Sequence, residues 1–283
     1  MSDKLRVKEP ATLLKFLNAQ LSSWSRKKIK LRLQTGCVLV NDQPVTQHDH
    51  PLVNGDNIEV LAAPKNISKG NVNLEIVYND GEIIIINKPA GLLSVATATE
   101  SKRHALALLR NQLSSPGHNV KLWPLHRLDR DTSGVLMFAT SREMREAVMD
   151  NWPQANKIYL AVVEGTPKPA NGTIDQPLRL DEREYKMHVG EHPQAKHAVS
   201  HYQTKQTVNQ RSLVEVALET GRQHQIRAHL AWLGTSVVGD PRYGKKGPRM
   251  GLHALKLNVT HPKTGKRIEA MAPAPHDLLA LLK

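Results

Sequence analysis

Four isoleucines in a row, Ile83 to Ile86 in the stretch EIIIINKP, leave this part of the chain little choice of structure. β-Branched side chains fit a pleated surface and lose rotamer freedom in a helix, so the run reads as a strand. Its lack of polar alternation marks that strand as buried. VLMFA (135–139) and IYLAVVEG (158–165) read the same way, whereas SLVEVALET (212–220) alternates, with Val214, Val216 and Leu218 on one side. Between and after these strands, apolar residues at helical spacing place helices in HALALLRNQL (104–113), REMREAVMDNW (142–152) and RQHQIRAHLAWLG (222–234). In the last of these, Ile226, Leu230 and Leu233 form the apolar stripe. LHALKLNV adds a further strand and PHDLLALLK a closing helix. Strands and helices mix without a regular βαβ alternation and without a glycine-rich phosphate loop. The expected fold class is α+β, with a long mixed, largely antiparallel sheet flanked by helices.

A smaller α/β module precedes this unit. In ATLLKFLNAQL, Leu13, Leu14, Leu17 and Leu21 recur at helical spacing. A second helix follows in SWSRKKIKLRLQTG, with Ser25 as N-cap, Gly36 as C-cap and a buried stripe through Ile29 and Leu33. CVLVN and NIEVL supply two short strands. AAPKNISKGNVN carries no apolar pattern and reads as a linker. The expected organisation is therefore residues 1–62, a linker over 63–73, and a main domain over 74–283.

Charge narrows the partner. The formal net charge is +13, the footprint of a polyanion binder. Arg26, Lys27, Lys28, Lys30 and Arg32 crowd one helix with no acid between them, and neighbouring like charges repel unless an external anion relieves them. Aromatic residues make up only 4% of the chain, which argues against recognition by an exposed stacking platform. No apolar run approaches the roughly 18 residues that span a bilayer. The opening MSDKLRVKEP lacks the apolar stretch of a signal peptide. A single cysteine, Cys37, excludes an internal disulfide and an all-cysteine zinc site, and in GCVLV it reads as a small buried hydrophobe. These features point to a cytoplasmic protein without a membrane partner.

Two stretches carry chemistry. HRLDRDTSG (126–134) sets Asp129 between Arg127 and Arg130, at the mouth of a buried strand. A carboxylate among cations stays ionised and can serve as nucleophile or base. Asp131, Thr132, Ser133 and Gly134 suit a turn. In TGRQHQIRAHL, Thr220 and Gln223 have capping-box spacing, which puts Arg222 at a helix N-terminus, where a cation is unfavourable without an anion nearby. Arg227 lies about a turn further on beside the apolar stripe, and a partly buried arginine wants a carboxylate or phosphate. Asp129 is the candidate partner. His197 and His201 have the spacing of a helical zinc pair, yet AVSHYQTKQTV reads as a strand and no H-E-x-x-H pattern exists, so no metal is expected. No G-x-S-x-G motif is present either.

In order along the chain, LEIVYNDGEIIIINKPAG, HRLDRDTSG, KIYLAVVEG, TGRQHQIRAHL, GDPRYG and LHALKLNVTHPKTG resemble the RluA family of pseudouridine synthases. The first unit resembles an S4 domain, a small RNA-binding module, through LLKFLNAQL, SRKKIKLRLQTGCVLVNDQPV and VNGDNIEV. The resemblance implies a catalytic α+β domain with an RNA cleft and isomerisation of uridine to pseudouridine. It implies ribosomal RNA of the 23S class as substrate, with tRNA as the alternative. It assigns Asp129 as the catalytic aspartate, Tyr159 of KIYLA as the tyrosine packing on the target base, and Arg227 of HQIR as the partner of the aspartate. His126, Arg127, Arg130, Thr132, Arg222, Gln223 and Lys88 are assigned to substrate RNA, with Arg127 helping to displace the flipped nucleotide. Arg26, Lys27, Lys28, Lys30 and Arg32 are assigned to RNA binding by the first unit. The chemistry needs no cofactor and no metal, and a monomer is expected. Two rival classes stand beside this reading: a non-catalytic RNA-binding or assembly protein, and a glycoside or nucleoside hydrolase, which needs a second poised carboxylate.

If the basic helix meets phosphate, replacing Arg26, Lys27 and Lys28 with glutamine lowers RNA affinity and flattens its salt dependence by about two to three units of slope. Filter binding across a salt series measures this, and an unchanged slope would refute the role.

Overall fold

The computed structural model describes residues 3–34, 37–41, 43–45, 47–61, 73–115 and 117–283. The chain divides into two compact units, Met1–Val72 and Asn73–Lys283. The expected linker lies almost wholly outside the described residues, as does the expected C-cap at Gly36.

The first unit runs β1 (Asp3–Arg6), β2 (Ala11–Thr12), α1 (Leu13–Gln20), α2 (Arg26–Gln34), β3 (Val38–Val40), β4 (Gln43–Pro44), β5 (Pro51–Leu52) and β6 (Asn57–Val60). An antiparallel sheet has the order β1-β6-β3-β4, and β2 pairs with β5. Leu13, Phe16 and Leu17 of α1 meet Ile29 and Leu33 of α2 over Val38, Val40, Ile58 and Val60. Burying that stripe turns the rest of α2 outward. Arg26, Lys27, Lys28 and Lys30 are exposed, and Arg32 is half-buried with its Nη1 3.7 Å from Cys37 Sγ. Ser25 Oγ accepts the Lys28 amide at 3.2 Å, as an N-cap does. Lys28 Nζ stands 3.6 Å from the Trp24 ring centroid, a cation–π contact.

The second unit contains β7 (Glu75–Asn79), β8 (Ile83–Lys88), α3 (Ala105–Leu113), β9 (Trp123–Pro124), β10 (Ser133–Ala139), α4 (Arg142–Asp150) and β11 (Asn156–Glu164). It continues with β12 (Asn171–Asp175), β13 (Leu178–Asp181), β14 (Lys186–Val189), β15 (Val199–Val208), β16 (Arg211–Leu218), α5 (Gln225–Trp232), β17 (Leu252–Thr260), β18 (Arg267–Met271) and α6 (His276–Leu279). Ten strands form one sheet with the path β12-β15-β16-β11-β17-β10-β8-β7, with β18 joined to β17 and β9 to β10. It is the expected mixed sheet: β10 and β17 run parallel, and the other strand pairs described in it are antiparallel.

The isoleucine run is apolar throughout because both faces of β8 are covered. Ile83 and Ile85 pack with Val135, Met137, Met144 and Val148 on the α4 side. Ile84 and Ile86 pack with Leu136, Phe138, Ala105 and Leu109 on the α3 side. Further along the sheet, Ala161, Val163, Val214 and Val216 receive Ile226 and Leu230 of α5.

Two helices differ from their expected extent. α5 begins only at Gln225, because Thr220 Oγ1 and the Arg222 amide both bond Gln225 Oε1 (2.8 and 2.9 Å) instead of forming a Thr220–Gln223 capping box. It is also buried nearly all round: Gln225, Arg227 and His229 are as enclosed as Ile226 and Leu230, and each polar group has a partner. The closing helix is a single turn followed by a 3-10 turn over Ala280–Leu282. No helix among the described residues is long and apolar enough to cross a membrane.

Candidate active site

The stretch HRLDRDTSG forms the loop entering β10, and its backbone is pinned almost residue by residue. Leu128 exchanges two hydrogen bonds with Ser94 Oγ, its amide donating at 2.9 Å and its carbonyl accepting at 2.7 Å. The Thr132 amide donates to the Asp129 carbonyl at 3.2 Å, closing a turn. Lys88, fully buried at the end of β8, donates to the carbonyls of Pro89 (3.0 Å), Leu92 (2.7 Å) and Arg130 (3.1 Å). Ser133 Oγ accepts Arg249 Nη2 at 2.8 Å and bonds His253 Nδ1 at 2.8 Å. Gly134 ends the loop at φ +110°, where a Cβ would lie 2.1 Å from the Ala254 carbonyl oxygen, so only glycine fits. That close approach is the parallel junction of β10 with β17, where Gly134 pairs with Ala254. Ala254 also pairs with Tyr159 across a register shift between Ile158 and Tyr159. A bulge of this kind re-aims the side chain beside it. Backbone pairing alone thus sets the Tyr159 strand next to the end of the Asp129 loop.

The side chains converge on Arg227. Its Nη1 donates to Asp129 Oδ2 at 2.7 Å. Its Nε and Nη2 form a two-pronged pair with Asp240 Oδ2 (2.6 Å) and Oδ1 (2.8 Å). The side chains of Arg227 and Asp240 are 6% and 0% exposed, whereas Asp129 keeps 31% of its surface open. One planar guanidinium therefore anchors on a buried acid and presents its remaining nitrogen to an accessible one. Burial alone would lower the Arg227 pKa; the two carboxylates outweigh it and raise it above the ordinary arginine value. Burial likewise pushes Asp240 up, but Arg227 and the amides of Arg242 and Tyr243 prevail and hold it below the usual carboxylate range. Tyr243 lies under the guanidinium, 5.1 Å from its ring centroid to the arginine carbon. Burial and the Asp129 charge both push the Tyr159 phenol up, so it is neutral and protonated at physiological pH.

The structure brings Asp129 and Arg227 together, with Tyr159 close enough to feel the Asp129 charge. Arg127 and Arg130 are exposed on the same loop, and Arg130 Nε pairs with Asp131 Oδ1 at 3.1 Å. Two assignments need correction. Lys88 is no RNA contact, because it is fully buried with its ammonium spent on three carbonyls. Thr132 is 2% exposed and serves the turn. His126 Nε2 accepts the Met137 amide at 3.2 Å, and its ring packs on Trp152. Arg222 lies ahead of α5, exposed, its Nε donating to the His197 carbonyl at 2.9 Å, and Gln223 takes no part in the cap, which belongs to Gln225. His197 and His201 each face their own acid, Asp175 at 3.1 Å and Glu219 at 2.6 Å. Among the described residues no three His, Cys, Asp or Glu side chains group as metal ligands.

Sequence reasoning missed Asp240, His224 and Tyr243. The signal for two of them was present in GDPRYG, where an acid follows a glycine and precedes a proline, the composition of a fixed turn. Gly239 is at φ +77° and Asp240 Oδ1 accepts the amides of Arg242 (2.9 Å) and Tyr243 (3.2 Å).

Comparison with known proteins shows the family of the chain. Residues 82–232 match the family model described as RNA pseudouridylate synthase. An RNA pseudouridine synthase of Bacillus subtilis, YlyB, is 31% identical, the alignment covering 95% of this chain and 92% of that protein. Ribosomal large subunit pseudouridine synthase D of Zymomonas mobilis is 31% identical, over 94% of this chain and 91% of the relative. The solved structure of human RNA Pseudouridylate Synthase Domain Containing 1 superposes with a TM-score of 0.63 at 25% identity, covering 75% of this chain and 87% of that one.

Two consequences are measurable. Lys88→Met leaves three carbonyls without their donor, and an orphaned buried acceptor costs roughly 1–3 kcal/mol. Urea unfolding should show a loss of about 3 kcal/mol or more; an unchanged midpoint would mean that the loop holds itself. Burial pulls His126 from 6.5 to about 4, with the Lys157 charge adding to it. The unfolded chain therefore takes up this proton first, and stability falls as pH drops from about 6.5 towards 4, by at most about 3 kcal/mol. His126→Gln, which keeps an acceptor for Met137 and cannot titrate, should flatten that decline in pH-dependent unfolding. Equal slopes for the two proteins would contradict it.

Proposed function

Because the chain belongs to the RNA pseudouridylate synthase family, we propose that this pseudouridine synthase modifies defined uridines of large-subunit ribosomal RNA, with Asp129 acting at the ribose. The observation that carries the catalytic assignment is the arrangement around one carboxylate: Arg227 bonds Asp129 Oδ2, and Oδ1 has no protein hydrogen bond among the described residues. A carboxylate tethered by one oxygen and free at the other is suited to attack an electrophilic carbon or to remove a proton.

The reaction is an isomerisation. The bond from uracil N1 to ribose C1′ breaks, the bond from C5 to C1′ forms, C5 gives up its proton and N1 gains one. The target base must leave its stack first, at a cost of a few kcal/mol. Cations gripping the backbone offset this cost. Arg127 and Arg130 on the loop suit that role, as do the exposed Arg242, Lys245 and Lys246 of PRYGKK just after Asp240. Asp129 then attacks C1′ or removes the C2′ proton. The detached uracil has to be kept in place, and Tyr159, half-buried against Leu128 and Ala254 on one side and Val216 and Ile226 on the other, gives it an apolar surface to lie on. In this reading the first unit acts as an S4-type RNA-binding module whose exposed Arg26, Lys27, Lys28 and Lys30 add phosphate contacts.

The preference for ribosomal RNA over tRNA is supported by relatives named ribosomal large subunit pseudouridine synthase D in three organisms. Asp129→Asn keeps the shape of the residue and removes its charge. It should lower tritium release from RNA carrying 5-tritiated uridine by about a thousandfold or more, while RNA binding persists. Turnover near the normal rate would overturn the assignment, and free uracil as product would indicate a hydrolase. Pseudouridine mapped across total RNA with and without the protein identifies the target; new sites confined to tRNA would contradict the ribosomal reading.

A further inference from the structure

His224 has no part in the chemistry described so far, yet its surroundings are specific. It immediately precedes α5 in the left-handed region, at φ 51°, a conformation unfavourable for any residue with a side chain. The side chain is 6% exposed, and its Nε2 lies 3.7 Å from Asp129 Oδ2, the same oxygen that Arg227 holds. At the other end of the ring, Nδ1 is 3.1 Å from the Tyr243 hydroxyl, whose oxygen also accepts the Met187 amide at 2.7 Å. Among the described residues Nδ1 is the only acceptor within hydrogen-bond reach of the Tyr243 hydroxyl, so the Tyr243 proton points to it. The imidazole proton then sits on Nε2, facing the carboxylate; the opposite tautomer would set a lone pair against it. Tyr185 and Tyr243 meet the ring edge-on, with centroids 6.1 and 5.7 Å away, and fix its plane.

We propose that His224 is a positioning residue for the isomerisation, its Nε2–H directed by Tyr243 onto Asp129 Oδ2 so that Oδ1 alone is presented to the ribose. This rests on the assignment of Asp129 as the catalytic carboxylate. Two donors converging on one oxygen stop rotation of the carboxylate, which a single donor does not. At 3.7 Å the contact is longer than a hydrogen bond, and the proposal requires it to shorten in the substrate complex, as contacts in substrate-free catalytic sites do. The charged and titratable groups facing the ring are Asp129 on the loop, Tyr185, Arg227 on α5, and Asp240, Arg242 and Tyr243 on the following turn. Burial is the main influence on His224 and lowers its pKa, Asp129 opposing and Arg227 adding to the effect, so the neutral tautomer is the form present at neutral pH.

The test compares His224→Leu, His224→Gln and Tyr243→Phe with the parent, on substrate RNA under single-turnover conditions. Glutamine can place an amide N–H where Nε2–H stood; leucine cannot. His224→Leu should slow the single-turnover rate about tenfold to a hundredfold with RNA affinity unchanged. His224→Gln should recover most of that loss, because its amide N–H restores the donor to Asp129 Oδ2. Tyr243→Phe should slow the reaction at neutral pH by releasing the tautomer. A merely structural role would move affinity or thermal stability and would not be rescued by glutamine over leucine. A His224→Leu rate equal to the parent's, or a His224→Gln rate no better than that of leucine in a folded protein, overturns the proposal while leaving Asp129 standing. Full turnover by Asp129→Asn would remove both readings together.

Discussion

Everything in the site depends on the placement of a single guanidinium. Arg227 is almost wholly buried, and an unpaired buried cation would be strongly destabilising. Its Nε edge is satisfied by Asp240, a residue with no exposed surface, which is itself held by two backbone amides. The anchor is therefore internal and does not depend on solvent or substrate. Only Nη1 is left to reach Asp129. The accessible acid is thus held at one oxygen by a structure completed beneath it, and its position is set before substrate arrives, which is where much of the advantage of an enzyme site lies.

The fold supplies the two surfaces that this guanidinium joins. On one side is the loop entering β10, held by Lys88, Ser94 and the Ser133–His253 contact and ended by Gly134 against Ala254. On the other is α5, which packs Ile226 and Leu230 onto β11 and β16. The junction of the two parts of the sheet is the short parallel contact of β10 with β17, only two residue pairs long. β8 occupies the other edge of β10 along its length, so β17 gives way to β9 on the same side. The Asp129 loop springs from that junction, and the strand carrying Tyr159 lies one position away across β17. Function here follows from sheet topology as much as from the loop itself.

What could be read from the residues alone divides along a physical line. Local patterns were legible. The isoleucine run, VLMFA and IYLAVVEG are strands because no other local structure accommodates them, and the Ile29–Leu33 stripe correctly set the outward face of α2. The pairing of Asp129 with Arg227 could be anticipated because each residue alone posed a problem that the other solves. The start of α5 could not be read: Thr220 and Gln223 have a capping spacing, but Gln225 reaches back to Thr220 and Arg222 and wins, and its own side chain is buried on Val199 and Ser200 of a distant strand. The same holds for Lys88 and His126. Both look like surface polar residues of an RNA cleft, and both are turned inward to satisfy backbone groups. Asp240 lies far along the chain from Asp129, and nothing local reveals that the two share an arginine.

The most direct test of this account is a double-mutant cycle between the anchor and the arginine, read as single-turnover pseudouridine formation by Asp240→Asn, Arg227→Met and the double variant. If Asp240 acts only by holding Arg227, its replacement slows the reaction at least about tenfold in the parent and has little further effect once Arg227 is gone. Losses that simply multiply in the double variant would contradict the account, because Asp240 and Arg227 would then contribute independently.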